Sequence, residues 1–294
     1  MNPHAVARNV KVRSFFGYHG VWALGVRWFR SIRFGAKAAV ISLVFLVPLI
    51  VLLWSYSADK SAAIGVAEQE QAGVEMVQKL MPLMLRAQDL RRATVARANG
   101  GAGSDLADMR ARESKVFEAA AADVEAFIAA HEGGEHWSDV KKARGVALSL
   151  PANASPQAVR TAYVGYVGSV LNFIDHVVDA STLSLDPDGD TYYMMSASMV
   201  HLPQLIEHVG LTRGVANGGV IAGSVDRETA LTLGRNSALA EAELQSVSQD
   251  FAKAREYNPA LADLNADAAQ CGDGMLGGLG FQFTAWADVR QQRY

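Results

Sequence analysis

Arg91, Arg92 and Arg213 are the side chains of this sequence best suited to binding chemistry, because each lies in an alanine- and leucine-rich stretch with helical periodicity. A guanidinium turned inward from such a face holds a carboxylate or another oxyanion through two parallel hydrogen bonds. The three are therefore candidate ligand-binding residues for a small anion. A surface ion pair, or a stem laid over apolar packing, is the alternative for each. Enzymatic constellations fail. His131-Glu132-Gly133-Gly134-Glu135-His136 resembles a zinc-protease helix, but the second histidine comes five residues after the first, and Gly-Gly breaks the helix that would aim both rings at one metal. Asp186, Asp188 and Asp190 alternate as in a calcium loop, yet Thr191 stands where the glycine is needed and Ala197 where the closing glutamate belongs. No phosphate-binding glycine loop is present, and the glycines at 272–280 match no template. No catalytic residue, metal or cofactor is expected, and the chain is not expected to be an enzyme.

The element that must position these residues is the stretch 38–54, AAVISLVFLVPLIVLLW, seventeen residues without a charge. At 1.5 Å per residue it covers about 26 Å, and the flanks at Phe34 and Tyr56 extend it to the hydrocarbon thickness of a bilayer. Residues 34–57 are thus expected to form a transmembrane helix. Seven Lys or Arg precede Trp54 with no acid among them, while the rest of the chain carries the other 20 basic residues and all 30 acidic ones. Basic residues beside a span stay inside, so the N-terminus is expected in the cytoplasm and the bulk of the chain in the periplasm, across a bacterial inner membrane. A cleaved signal peptide fits less well, because the basic region exceeds 30 residues and the apolar run is longer than usual. Residues 1–33, where Phe15, Phe16, Tyr18, Trp22, Trp28 and Phe29 alternate with bases, read as a tail lying on anionic lipid rather than as a nucleic-acid-binding segment.

Half the chain is hydrophobic, and proline is nearly absent from its long periodic segments. An all-α fold is expected: the transmembrane helix plus an external antiparallel helical bundle over 58–260. With Cys271 alone, no intramolecular disulfide can form. A first external helix is expected over 59–97, kinked at Pro82, and a second from Ser104 or Asp105 to about His131. A connector with a short helical piece should follow to Pro156, then a third helix capped by Ser155. A fourth runs from Asp190 to about Asn217, and a fifth over 226–257. Pro82 and Pro203 are each followed ten residues later by an arginine, Arg92 and Arg213, which points to two related, stacked bundle modules.

The run Asp186-Pro187-Asp188-Gly189-Asp190-Thr191-Tyr192-Tyr193 resembles the aspartate-proline-x-x-aspartate-x-tyrosine-tyrosine signature found in sensing regions of bacterial methyl-accepting chemotaxis proteins, and in some membrane histidine kinases and diguanylate cyclases. The flanking Glu70, Gly73, Leu80, Pro82, Leu83, Arg91 or Arg92, Leu202-Pro203 and Arg213-Gly214 follow the same pattern in order, so the resemblance covers residues 34–255. Read from the residues themselves, Asp186 can turn the chain, Asp190 can cap the next helix, and Tyr192 and Tyr193 can pack on the joint. Asp186, Pro187, Asp190, Tyr192 and Tyr193 are structural or sensory on this reading.

The resemblance implies a membrane-anchored sensor of signal transduction, most simply in chemotaxis, that detects a small periplasmic ligand and relays a helix displacement. Such receptors continue into a second span and an output domain. Residues 261–294 read instead as an irregular tail, which is expected to be a frameshifted or truncated end. A homodimer through the bundle is expected. The reading from another class is a membrane-anchored helical scaffold that binds a protein partner and carries no signal.

Overall fold

The computed structural model describes residues 22–101 and 105–261. Their regular elements are all helical, with no strand among the described residues. Expectations for residues 1–21 and 262–294, Cys271 included, lie outside the described residues. The chain divides into two compact units, residues 1–63 and 64–294.

In the first unit, helix α1 (Ala23–Ser31) carries Arg27 and Arg30 together with the exposed Trp28. Ile32 turns extended, and α2 (Phe34–Ala98) begins. Its apolar segment is bare: Phe45, Leu52 and Trp54 are each more than 65% exposed. A helix of a water-soluble core hides one stripe, whereas this one is apolar all round. It is the one helix among the described residues long and apolar enough to cross a membrane.

In the second unit the same helix becomes striped. Val77, Leu80, Leu83, Met84, Ala87 and Leu90 recur at three and four residues and are buried, which is the spacing that makes one face. Helix α3 (Leu106–His131) starts where Asp105 accepts hydrogen bonds from the amides of Ala107 and Asp108. Glu132 and Gly133, both at positive φ, end it. Glycine is required at 133 on two counts, because a Cβ there would also lie 2.4 Å from His176 Nε2.

Helix α4 (Gly134–Leu148) corrects the expectation of a connector. Five of its fifteen residues are charged, but Trp137, Val140 and Ala147 are buried, and the Trp137 ring stacks 5.1 Å from Phe117 and lies 5.5 Å from Phe173. Those few contacts dock a helix that propensity and polarity left unmarked. Helix α5 (Pro156–Ala180), capped by Ser155 Oγ on the Ala158 amide, contributes Tyr163, Tyr166, Val170, Ile174 and Val177 to the core. Glu113 ties α3, α4 and α5: it accepts from Arg144 Nε at 2.8 Å, Arg144 Nη2 at 2.9 Å and Tyr166 Oη at 2.6 Å. Burial, with Glu113 adding to it, pushes the Tyr166 phenol well above its ordinary range.

The expected fourth helix is three pieces. A 3₁₀ turn, Leu183–Leu185, leads to Asp186, whose Oδ1 accepts from the Asp188 amide. Helix α6 (Gly189–Met195) then starts at Gly189, so the residue at the cap position is Asp188 and not Asp190. The correction has a packing cause. A Cβ on Gly189 would fall 2.6 Å from the Tyr257 ring, so the bare glycine lets α6 begin against that ring. Asp190 is thereby carried inside the helix, where its Oδ2 accepts from Asn258 Nδ2 at 3.0 Å. Tyr192 meets Tyr193 edge-on at 5.2 Å, Tyr193 lies 5.9 Å from Tyr257, and the Lys253 ammonium sits 4.7 Å from the Tyr193 ring.

A π turn, Ser196–His201, separates α6 from α7 (Leu202–Ala222). Pro203 has no amide hydrogen and its ring crowds the carbonyl four residues back, which the wider turn accommodates. Ser196 Oγ donates to Asp250 and His201 Nδ1 meets Glu243 at 2.8 Å, so the turn is pinned to α8 (Arg227–Tyr257). Gly223 at φ +65° ends α7, and Asp226 caps α8 by accepting from the Thr229 amide.

Candidate anion-binding site

A stripe of glycines opens the surface of α7. Gly210, Gly214 and Gly218 fall one turn apart on a single face, and the first and last are about 12 Å apart along the axis. With no side chains on that face, α7 leaves a cavity of about 310 Å³ against α2 and the start of α5. The wall from α2 includes Arg92, Val95 and Ala96, that from α5 is Arg160, and α7 adds Arg213 and Val215. Four arginines line the cavity and no aspartate or glutamate does.

The arginines are not equivalent. Arg91 is buried and bonded through both terminal nitrogens to Glu207, its Nη2 at 2.9 Å from Oε2. Gln88 Nε2 donates to the same Oε2 at 2.8 Å. Gly210 lies against this pair, with the Arg91 Nη2 at 3.5 Å from where its Cβ would be, an ordinary contact distance. Arg91 therefore presents no free guanidinium to a ligand, and its charge is cancelled by Glu207. Arg92 is exposed and touches Asp89 through one 3.3 Å contact. Asp89 is shared with Arg86 at 3.7 Å, so Arg92 is only loosely engaged. Arg213 and Arg160 meet no carboxylate within ion-pair distance among the described residues. Arg160 is half-buried, and its Nη2 lies 3.8 Å from the Cβ position of Gly218, at the opposite end of the stripe from Arg91.

Of the three arginines expected to bind, the structure thus brings all three to one cavity, where Arg92 and Arg213 are available and Arg91 is held by Glu207. Arg160 and Glu207 were missed. The four-residue spacing of Gly210, Gly214 and Gly218 was a readable sign of an open helix face; nothing local to Arg160 marked it. Arrayed this way, the three available guanidiniums can neutralise an anion, while Val95, Leu211 and Val215 offer it apolar surface.

The signature residues Asp186, Asp190, Tyr192 and Tyr193 are absent from the cavity lining; Asp190 and Tyr193 join α6 to the end of α8. His131 packs on Phe127 at 4.5 Å, and His136 stacks on His176 at 4.5 Å. Among the described residues no group of three or more His, Cys, Asp or Glu side chains is placed to hold a metal. Comparisons with protein-family models, with curated proteins and with solved structures give no match to the chain.

Proposed function

We propose that the chain is the membrane-anchored sensing part of a bacterial signal-transduction receptor, most simply a chemoreceptor, and not an enzyme. The apolar part of α2 lies in the inner membrane with the N-terminus in the cytoplasm. Residues after 58 form a periplasmic antiparallel bundle, arranged as stacked modules and paired in a homodimer. A small anion enters the cavity, draws Arg92 and Arg213 together across it, and shifts α2 against α7, which is the displacement passed toward the membrane.

The observation that carries this reading is a cavity lined by arginines without a carboxylate, one wall of which belongs to the helix that also holds the apolar segment. Arg160 and Arg213, which have no carboxylate partner among the described residues, supply around a half-apolar cleft the free cationic charge that recognition of an anion needs. The ordered signature motifs, the excess of bases before the apolar segment and the bare surface of that segment support the receptor and membrane parts.

The test is thermal unfolding of the full chain in lipid nanodiscs with acetate, benzoate, nitrate, phosphate or sulfate added. A ligand at 100 times its dissociation constant stabilises by about 2.7 kcal/mol, enough to raise the midpoint by several degrees. The shift should vanish in Arg92→Ala or Arg213→Ala. A shift that persists in both variants removes the arginine assignment, and no shift with any anion favours a scaffold that binds protein instead.

A further inference from the structure

The size and lining of the cavity say which kind of anion it takes. Its volume of about 310 Å³ is many times the roughly 10–15 Å³ that one water needs, so it holds several waters. A nitrate or a sulfate would displace only a few of these and leave the rest against Val95, Leu211 and Val215, where water gains little. The cationic groups are also spread out: Arg160 sits at the Gly218 end, while Arg213 lines both this cavity and the adjoining cleft that reaches Pro82 and Gln88. Between them Gly214 is open, with no atom within 4 Å of where its Cβ would stand.

Resting on the reading of this cavity as an anion site, we propose that its ligand is an organic acid whose carboxylate is held by Arg160 and whose hydrocarbon body lies over Gly214. Arg160 is the binding residue because it lines the cavity, is half-buried and has no carboxylate partner among the described residues, so its charge is left for an anion to neutralise. Arg92 and Arg213 at the exposed rim close over the bound acid and add to its neutralisation, and Val95, Leu211 and Val215 cover its apolar part.

The probe is benzoate, titrated calorimetrically into the full chain in nanodiscs, with empty nanodiscs as the blank and nitrate and sulfate run in parallel. Two variants are needed. Arg160→Ala removes the carboxylate partner. Gly214→Leu fills the floor; because the space there is open and leucine suits a helix better than glycine, its melting midpoint should equal or exceed that of the parent. The expected result is saturable benzoate binding that each variant weakens at least tenfold. Nitrate or sulfate should bind at least tenfold more weakly than benzoate. Tight nitrate or sulfate binding that Gly214→Leu leaves unchanged would overturn the organic-acid proposal and leave an anion site. Benzoate binding indifferent to both variants would overturn it by locating the acid elsewhere. Binding by none of the three anions would remove the proposal and the anion reading together.

Discussion

Arg91 and Glu207 lie 116 residues apart in sequence and are each buried, so the pair is a contact that only the folded chain makes. Removing one member strands the other charge away from water. Arg91→Ala should therefore cost about 3–5 kcal/mol in a denaturant unfolding series, whereas replacing both residues with apolar ones of similar volume should cost far less. Asp175 works in the opposite sense. Burial raises its pKa first, and the nearby charges of Asp179 and Glu243 add to the effect. An acid whose folded pKa is raised contributes stability in full below its unfolded value and loses it as pH rises through the folded one. Asp175→Asn should thus be more stable than the parent at pH 7, and the advantage should disappear as the pH falls toward 3.8, read from urea midpoints across that range. Arg92 and Arg213 were legible as candidates because their helical context is local. Arg160 was not, since only the arrival of Gly218 beside it distinguishes it from a surface arginine.

The helices that could be read from sequence are those whose signals are short-range. Asp105, Ser155 and Asp226 each precede an apolar periodic run and each accepts an amide hydrogen bond in the structure. α4 escaped because Trp137, Val140 and Ala147 are its only buried side chains, too few to set up an apolar stripe in a stretch where a third of the residues are charged. The π turn escaped because a proline within a helical run, here Pro203, can be met by a kink, a break or a wider turn, and pinning by Asp250 and Glu243 decides among them. The glycines separate into two kinds at this scale. Gly73 lets α2 approach the end of α5 so closely that a Cβ would lie 2.1 Å from Ser181 Oγ and 2.4 Å from its Cβ. Gly73→Ala should destabilise by about 1–3 kcal/mol through overpacking. Gly214→Ala meets open space and should be neutral or stabilising by up to about 1 kcal/mol. Chemical unfolding of the two variants beside the parent makes the comparison; equal losses would mean that the stripe on α7 is packed rather than open.

For the molecule as a whole, the surface most in need of an environment is the apolar part of α2, with Phe45, Leu52 and Trp54 bare. On the proposed orientation, protease added to intact spheroplasts should cleave within residues 64–261, and the fragment holding residues 22–54 should stay with the membrane. Protection of 64–261 until lysis would reverse the topology. The central claim, however, is that the cavity between α2, α5 and α7 collects anions. Crystals of the full chain soaked in bromide test it most directly, because bromide is an anion located by its own anomalous scattering. The account predicts a peak inside the cavity within hydrogen-bonding reach of Arg160 or Arg213, lost when both are replaced by alanine. Bromide ordered at other surfaces with none in the cavity would contradict it.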